Sequence, residues 1–416
     1  MEHRLHTPEG VRDIYNVACK KKVAVEKFLM NIFHGYGYQD IQTPSIEYFD
    51  VFSKEIGTTP SRDLYKFFDR EGDTLVLRPD ITPSIARAVA TIFESVDFPV
   101  RLCYSGNTFI NHNSYQGRLK ENTQLGAELI GADSVEDDAE MIAMVVDGLR
   151  EVGLDEFQVT LGHVDFLQSL LEAADLDEVS TKEIRSLIAN RNFFGAIEIL
   201  TAKGVDQDII HDFQILPELT GDISILKQAS EIARTPKAKD CVFRLLEIYN
   251  VLTIYQVQDY ITFDLSMCGT YGYYTGITFQ AYTYGTGDAV VRGGRYDNLC
   301  GKFGKDTPSI GFAIIVDELM NALTRQKIEI PVDYNNIIVY TEDTRTLAIT
   351  LAQYFRNSER CIELLKAEEG KTDSDFIEYG KRTHALSVMI LRPDGNVEVN
   401  DIVNNTTKIL NMKDFH

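Results

Sequence analysis

Residues 122–132 read NTQLGAELIGA, and the reading of this short run decides the fold. Taken as a strand, its period of two sends Gln124 and Glu128 to one face. Leu125, Leu129 and Ile130 beside them mark the segment as buried. Glu128 is then a carboxylate in apolar surroundings, which is costly unless something satisfies it. Two readings stand on the sequence: a rim ion pair with Arg118 or Lys120, or a polar group kept for a ligand.

Working outward, helical and extended patterns alternate. Val25, Phe28, Leu29, Ile32 and Phe33 recur at helical spacing in VAVEKFLMNIFHGYGY, and Gly35 follows where a helix ends. YQDIQTPSIE then alternates as a strand and meets Pro44, which restricts its pairing. Ile85, Ala88, Val89 and Ile92 mark a second helix. Ile142, Val145, Val146 and Leu149 mark a third, which leads through Gly153 into the strand FQVTLGH. Strands dominate the motif-bearing regions, so the fold class is α+β, an antiparallel sheet flanked by helices rather than a doubly wound one. From about residue 166 to 257 the texture turns helical and reads as an insertion. Strand-like sequence rich in Tyr and Gly returns over 261–301, and SIGFAIIVDELMNAL closes a first domain spanning residues 1–325. After a linker around Pro331, NIIVYTE, RTLAITLAQYFR, DFIEYGKRTHA, LSVMIL and NVEVNDI predict a small C-terminal α/β domain over 331–416.

Composition narrows the function. The chain carries 41 Lys and Arg against 63 Asp and Glu, a formal charge of −22, which disfavours broad contact with phosphate backbones. The segment 331–416 alone has 10 basic and 14 acidic residues, a net of −4. Six cysteines lie far apart with no C-x-x-C pair, so no disulfide framework or zinc site is expected. No stretch is apolar enough for a signal or a membrane span. These features point to the cytoplasm.

Common catalytic patterns are missing. GKFGKD lacks the correctly spaced first glycine of a phosphate-binding loop and the Ser or Thr after Lys305. The eight histidines form no two-His-plus-carboxylate spacing, and His163 reads as a strand-end residue. No serine has a nucleophile-elbow context. What remains are tyrosines and glycines, as in CGTYGYYTGITFQAY (residues 268–282) and RGGRYDNL (292–299). Tyr273 and Tyr274 fit either an ordinary aromatic strand or the wall of a small polar site.

TPEGVRDI, GYGYQDIQTPSIE, LRPDITPSIAR, QGRLKENTQLGAELIG, YYTGITFQ, RGGRYDNL and SIGFAI follow the order and spacing of histidyl-tRNA synthetases. The resemblance covers residues 7 to about 325. More weakly, the C-terminal segment resembles that family's anticodon-binding domain in reduced form. It implies a class II synthetase core, dimeric through GYGYQDIQTPSIE. It also implies a histidine site, with Asp80, Thr82 and Gln124 at the amino-acid end, Glu128 and Tyr274 at the imidazole nitrogens, and Tyr273 and Tyr296 beside them.

The same resemblance marks losses. FINH puts Ile110 where the synthetases place an arginine for the α-phosphate of ATP, and His112 where they place a glutamate. GTYGYY puts Gly269 at a second arginine and Gly272 at an aspartate. IVDE puts Glu318 at the arginine for the γ-phosphate. Adenylate formation moves negative charge that guanidinium groups stabilise, and removing one such donor costs about 10²–10³ in rate. Arg118 and Arg295 survive, though at other positions. A histidine pocket without these arginines resembles the regulatory subunits of ATP phosphoribosyltransferase. That resemblance implies a non-catalytic chain with no cofactor and no metal. It would join a short-form catalytic subunit in a hetero-octamer and mediate feedback by L-histidine in histidine biosynthesis. tRNA binding is not expected. A histidine–tRNA ligase with an atypical site, or a histidine-sensing module of another assembly, stand as alternatives.

Overall fold

The structure is a computed structural model and describes residues 6–53, 59–93, 99–112, 118–267 and 272–411. Helix α1 (Asn16–Gly35) buries Val25, Leu29 and Phe33, four residues apart and so on one face. Gly37, at a φ of 84°, lets the chain turn into strand β1 (Gln39–Asp40). The single strand expected around Pro44 is in fact two. The chain leaves β1 after two residues and resumes as β2 (Ile46–Tyr48), which joins β3 (Lys66–Phe68) and β4 (Thr74–Leu77) in a separate sheet of order β2-β4-β3.

The next elements are α2 (Thr82–Ile92), β5 (Val100–Phe109), β6 (Glu121–Ile130), α3 (Val135–Glu151) and β7 (Phe157–His163). Ser134 and Asp137 form a reciprocal capping box that starts α3. Then come the helices α4 (Val164–Ala173), α5 (Glu178–Ala189), α6 (Phe193–Ala202) and α7 (Gln207–Ile215), the short β8 (Thr220–Gly221), α8 (Ile225–Ile232) and α9 (Pro236–Ile254). Polar breaks define these helices: Asp177, Asn192, Asp206 and Thr235 each accept a backbone N–H at a helix start. β9 (Ile261–Asp264), β10 (Ile277–Thr283), β11 (Val291–Arg295), β12 (Ser309–Ile315) and α10 (Val316–Arg325) complete the region.

Nine strands form one sheet in the order β1-β5-β6-β12-β11-β10-β7-β9-β8. Its centre, β5 through β7, is antiparallel throughout. Parallel pairs occur only towards the edges, β1 with β5 and β7 with β9. The expected α+β class with an antiparallel sheet and a helical insertion is what the chain forms.

Contacts divide the chain into two compact units: the segment up to Asp13 with Val25–Glu329, and Ile14–Ala24 with the chain from Ile330. The second unit contains β13 (Asn336–Tyr340), α11 (Arg345–Asn357), β14 (Ile362–Lys366), α12 (Asp373–Arg382), β15 (Ser387–Leu391), β16 (Asn396–Asp401) and β17 (Thr406–Asn411). Its sheet runs β14-β13-β15-β16-β17. Alternation along β13 gives it two apolar faces: Ile338 packs with Leu351 and Phe355 of α11, while Ile337 and Val339 pack with Phe376 of α12. Among the described residues, no helix is long and apolar enough to cross a membrane.

Candidate functional site

The register of the central sheet builds the floor of a cleft. One row across five neighbouring strands reads Glu128, Gly311, Gly294, Thr278, Gly162, and the next reads Gly126, Ala313, Arg292, Gln280, Thr160. Paired residues point to the same side of a sheet. The floor is therefore nearly bare backbone, with Glu128 and Arg292 as its ionisable groups. Two glycines are required by close approach. A Cβ at Gly311 would lie 1.6 Å from Glu128 Oε2, and one at Gly294 would lie 2.9 Å from the Tyr274 ring.

One wall comes from the start of α2. The Thr82 hydroxyl donates to Glu128 Oε1 at 2.7 Å, and the Tyr296 hydroxyl donates to Oε2 at 2.5 Å. Asp80, just before the helix, accepts from the backbone N–H of Ile81 at 2.8 Å and from the Tyr273 hydroxyl at 3.2 Å. The tyrosine rings meet edge to face, Tyr273 lying 5.1 Å from Tyr274 and 5.9 Å from Tyr296 between centroids. Tyr273 and Tyr274 lie in the turn before β10, not in a strand.

The electrostatics follow from burial. Glu128 is 0% exposed and Asp80 3%. Burial pushes the Glu128 carboxyl up to about 8, although the Tyr296 and Thr82 hydroxyls favour its ionised form. Burial likewise raises Asp80, against the backbone and Tyr273 hydrogen bonds. The rim ion pair considered for Glu128 does not form. Its oxygens bond to hydroxyls inside the domain, and Arg118 is exposed.

Asp80, Thr82, Glu128, Tyr273, Tyr274 and Tyr296 line one cleft with Arg292, Gly311, Phe312 and Ala313. The space enclosed between these side chains is small, about 10 Å³, and the rest of the hollow of about 240 Å³ opens to solvent. Gln124 is on the same sheet face, opposite Gly106 and Ile315, but does not line the cleft. Its buried amide oxygen has no hydrogen-bond partner. Arg292 is the cleft residue that the motifs did not single out. Away from the cleft, His34, Asp40 and Cys103 bring donor atoms within 4.8 Å of one another, a grouping the cysteine spacing did not predict. Burial there pushes the Cys103 thiol up to about 12, which opposes the thiolate.

Three comparisons with known proteins bear on this cleft. The family described as Histidyl-tRNA synthetase matches residues 10–319. The ATP phosphoribosyltransferase regulatory subunit of Ruminiclostridium cellulolyticum is 34% identical over 97% of this chain and 96% of its own length. That of Acetivibrio thermocellus is 35% identical over 87% of each.

The chain belongs to the ATP phosphoribosyltransferase regulatory subunit family.

Among solved structures, one described as an ATP phosphoribosyltransferase regulatory subunit/histidyl-tRNA synthetase from Bacillus halodurans superposes with a TM-score of 0.84 at 29% identity, covering 94% of this chain and 99% of that one. The histidyl-tRNA synthetase of Nostoc has a TM-score of 0.83 at 17% identity over 99% of this chain and 97% of its own. At that identity the likeness concerns the fold. This member of the regulatory-subunit family thus keeps a synthetase scaffold.

The positions that the synthetase motifs mark for phosphate binding have their own structure here. Ile110 follows β5, half-buried, with its N–H bonded to Lys120 O at 2.9 Å. Glu318 stands in the first turn of α10 beside Asp317. Asp317 is 2% exposed and accepts from Thr123 N at 2.8 Å and from Arg12 at 2.9 Å. A helix start favours anions, and this one already holds two carboxylates. Gly269 lies outside the described residues; Gly272 is exposed. Arg295 is 4% exposed and committed to Asp138 Oδ1 at 2.8 Å, Asp297 Oδ1 at 3.2 Å and Ala132 O at 3.1 Å. These bonds tie β11 to α3 and to the segments around Ala132 and Asp297.

Proposed function

We propose that this chain is a non-catalytic regulatory subunit of ATP phosphoribosyltransferase that binds L-histidine in the cleft over Gly311 and acts on a short-form catalytic subunit. The observation that carries the reading is Glu128. It is a fully buried carboxyl set over bare glycine backbone, held by two hydroxyls. An imidazole offers two nitrogens, and a buried carboxylate facing one of them favours its N–H or its protonated form. Tyrosine rings supply flat walls, and Asp80 supplies a second acidic group suited to an ammonium. Histidine chemistry fits these groups. The names borne by the relatives supply the partner, and the acidic surface argues against tRNA. Self-association would use GYGYQDIQTPSIE, residues 35–47, as the synthetase resemblance implies.

The reading is tested by mixing the purified chain with a short-form catalytic subunit. Expected are co-elution in gel filtration, a gain in phosphoribosyl-ATP synthesis over the catalytic subunit alone, and suppression of that gain by histidine. Absence of both co-elution and gain ends the assignment. An active synthetase would instead show histidine-dependent exchange of pyrophosphate into ATP, and a sensor of another assembly would co-purify with a different protein.

A further inference from the structure

Histidine brings three charged or polar ends, and the groups named so far answer two of them. Glu128 faces the imidazole and Asp80 the ammonium, but both are acids. A carboxylate entering between them would be repelled unless a cation accompanies it. Among the described residues lining the cleft, Arg292 is the cation. It stands on β11, opposite Gln280 on one side and Ala313 on the other. Its side chain is 20% exposed and its NH2 group pairs with Asp288, four residues earlier.

An arginine paired with an acid four residues away is ordinary on a sheet surface. Two features set this one apart. Its neighbours on the floor are Ala313, Gly294 and Gly311, so no side chain on the floor separates it from Glu128. Its distance also leaves both side chains within reach of one small molecule. Arg292 and Glu128 are two strands and two residues apart in register, about 12 Å between Cα atoms from ordinary sheet spacings.

We infer that Arg292 forms the carboxylate subsite of this cleft, gripping the α-carboxylate of the bound amino acid from the side opposite Glu128. The inference rests on the reading of the cleft as a histidine site. A planar guanidinium matches a carboxylate through paired N–H donors, and Asp288 holds the far end of the side chain so that little freedom is lost on binding. The cleft then presents a cation and two acids to a ligand that carries one anionic and two cationic or N–H ends.

Calorimetric titration of the full chain with L-histidine and with L-histidinol, which has a hydroxymethyl group in place of the carboxylate, tests this. Wild type is expected to bind histidine at least about 10-fold more tightly than histidinol. Arg292→Gln is expected to weaken histidine about 10- to 100-fold and histidinol less than about twofold. Arg292→Lys should recover part of the loss. If wild type binds histidine but Arg292→Gln binds it equally well, or loses both ligands alike, the subsite is overturned while the histidine reading stands. Should Arg292→Gln not fold, Arg292→Lys and the wild-type ratio decide: equal wild-type affinity for the two ligands overturns the inference. If wild type binds neither ligand, alone or with its catalytic partner, both the inference and the reading fall.

Discussion

The cleft and the positions that synthetase motifs assign to phosphates show opposite treatment of charge. In the proposed histidine cleft, Asp80 and Glu128 are buried, and their hydrogen bonds run to Ile81, Thr82, Tyr273 and Tyr296. At the positions that synthetase motifs assign to phosphates stand an aliphatic side chain, Ile110, and a helix start that carries Asp317 and Glu318. Burying two carboxyls is expensive and is sustained only where something repays it. Seating carboxylates at a helix start is locally favourable and excludes a further anion. On the proposed function, the contrast teaches that recognition of an amino acid and its activation are separable on one sheet.

The largest effect that could break this contrast is synthetase chemistry itself. With about 10²–10³ in rate attached to each missing donor, histidine-dependent pyrophosphate exchange should lie at least about 10⁴-fold below an active synthetase. Measurable exchange at ordinary protein concentrations would show that the phosphate end still works.

Arg295 sharpens the same point. If it is a tie rather than a phosphate ligand, Arg295→Met leaves Asp138 buried with one partner fewer, and stability should fall by about 3–5 kcal/mol. Urea unfolding measures this, and an unchanged midpoint would free Arg295 for another role.

Within the cleft, Glu128→Gln should weaken histidine about 5- to 150-fold, the cost of about 1–3 kcal/mol for a buried group left badly partnered. Its pH dependence is more telling. With Glu128 near 8 in the free protein and an imidazole near 6.5, one proton is available to the pair between those values and binding needs no exchange with solvent. Above about pH 8 a proton must be taken up, and below about 6.5 one must be released, so affinity should fall about tenfold per unit on either side. Glu128→Gln should lose the alkaline limb. Folding stability has a matching sign: the raised Glu128 contribution is full below its ordinary 4.5 and lost as pH rises towards 8. A flat binding profile in wild type would remove Glu128 from the ligand.

The smallest expected effect is Tyr274→Phe. The ring rests over Gly294 and its packing survives the change, so only the hydroxyl is lost, worth about 2- to 12-fold in affinity. A loss as large as that of Glu128→Gln would raise Tyr274 from a wall to a principal contact.

Much of this was legible in the sequence because the features are local. Period-two spacing placed Gln124 and Glu128 on one face, and four-residue spacing marked α1. Motif order brought Asp80, Thr82, Tyr273, Tyr274 and Tyr296 to one place from far apart in the chain. What was not legible depends on register. Arg292 reads as one more charge in a glycine-rich run until pairing with Ala313 and Gln280 puts it on the floor. Gln124 shares a face with Glu128, yet two further residues along the strand take it out of the cleft. In the second unit, β14 and β17 were missed. β17 is exposed at five of its six positions, so it gives no alternation to read.

The glycine floor has a consequence for how such a site can change. Because Gly311 and Gly294 leave no space for a Cβ, almost any replacement there obstructs the bed, and the floor gives natural variation no graded steps. New ligand preferences would have to arise at the side chains around that bed, through Thr82, Tyr274, Tyr296 or Arg292, which can be exchanged one at a time. A scaffold of this kind can abandon one chemistry and still hand down, nearly untouched, the shape in which its ligand rests.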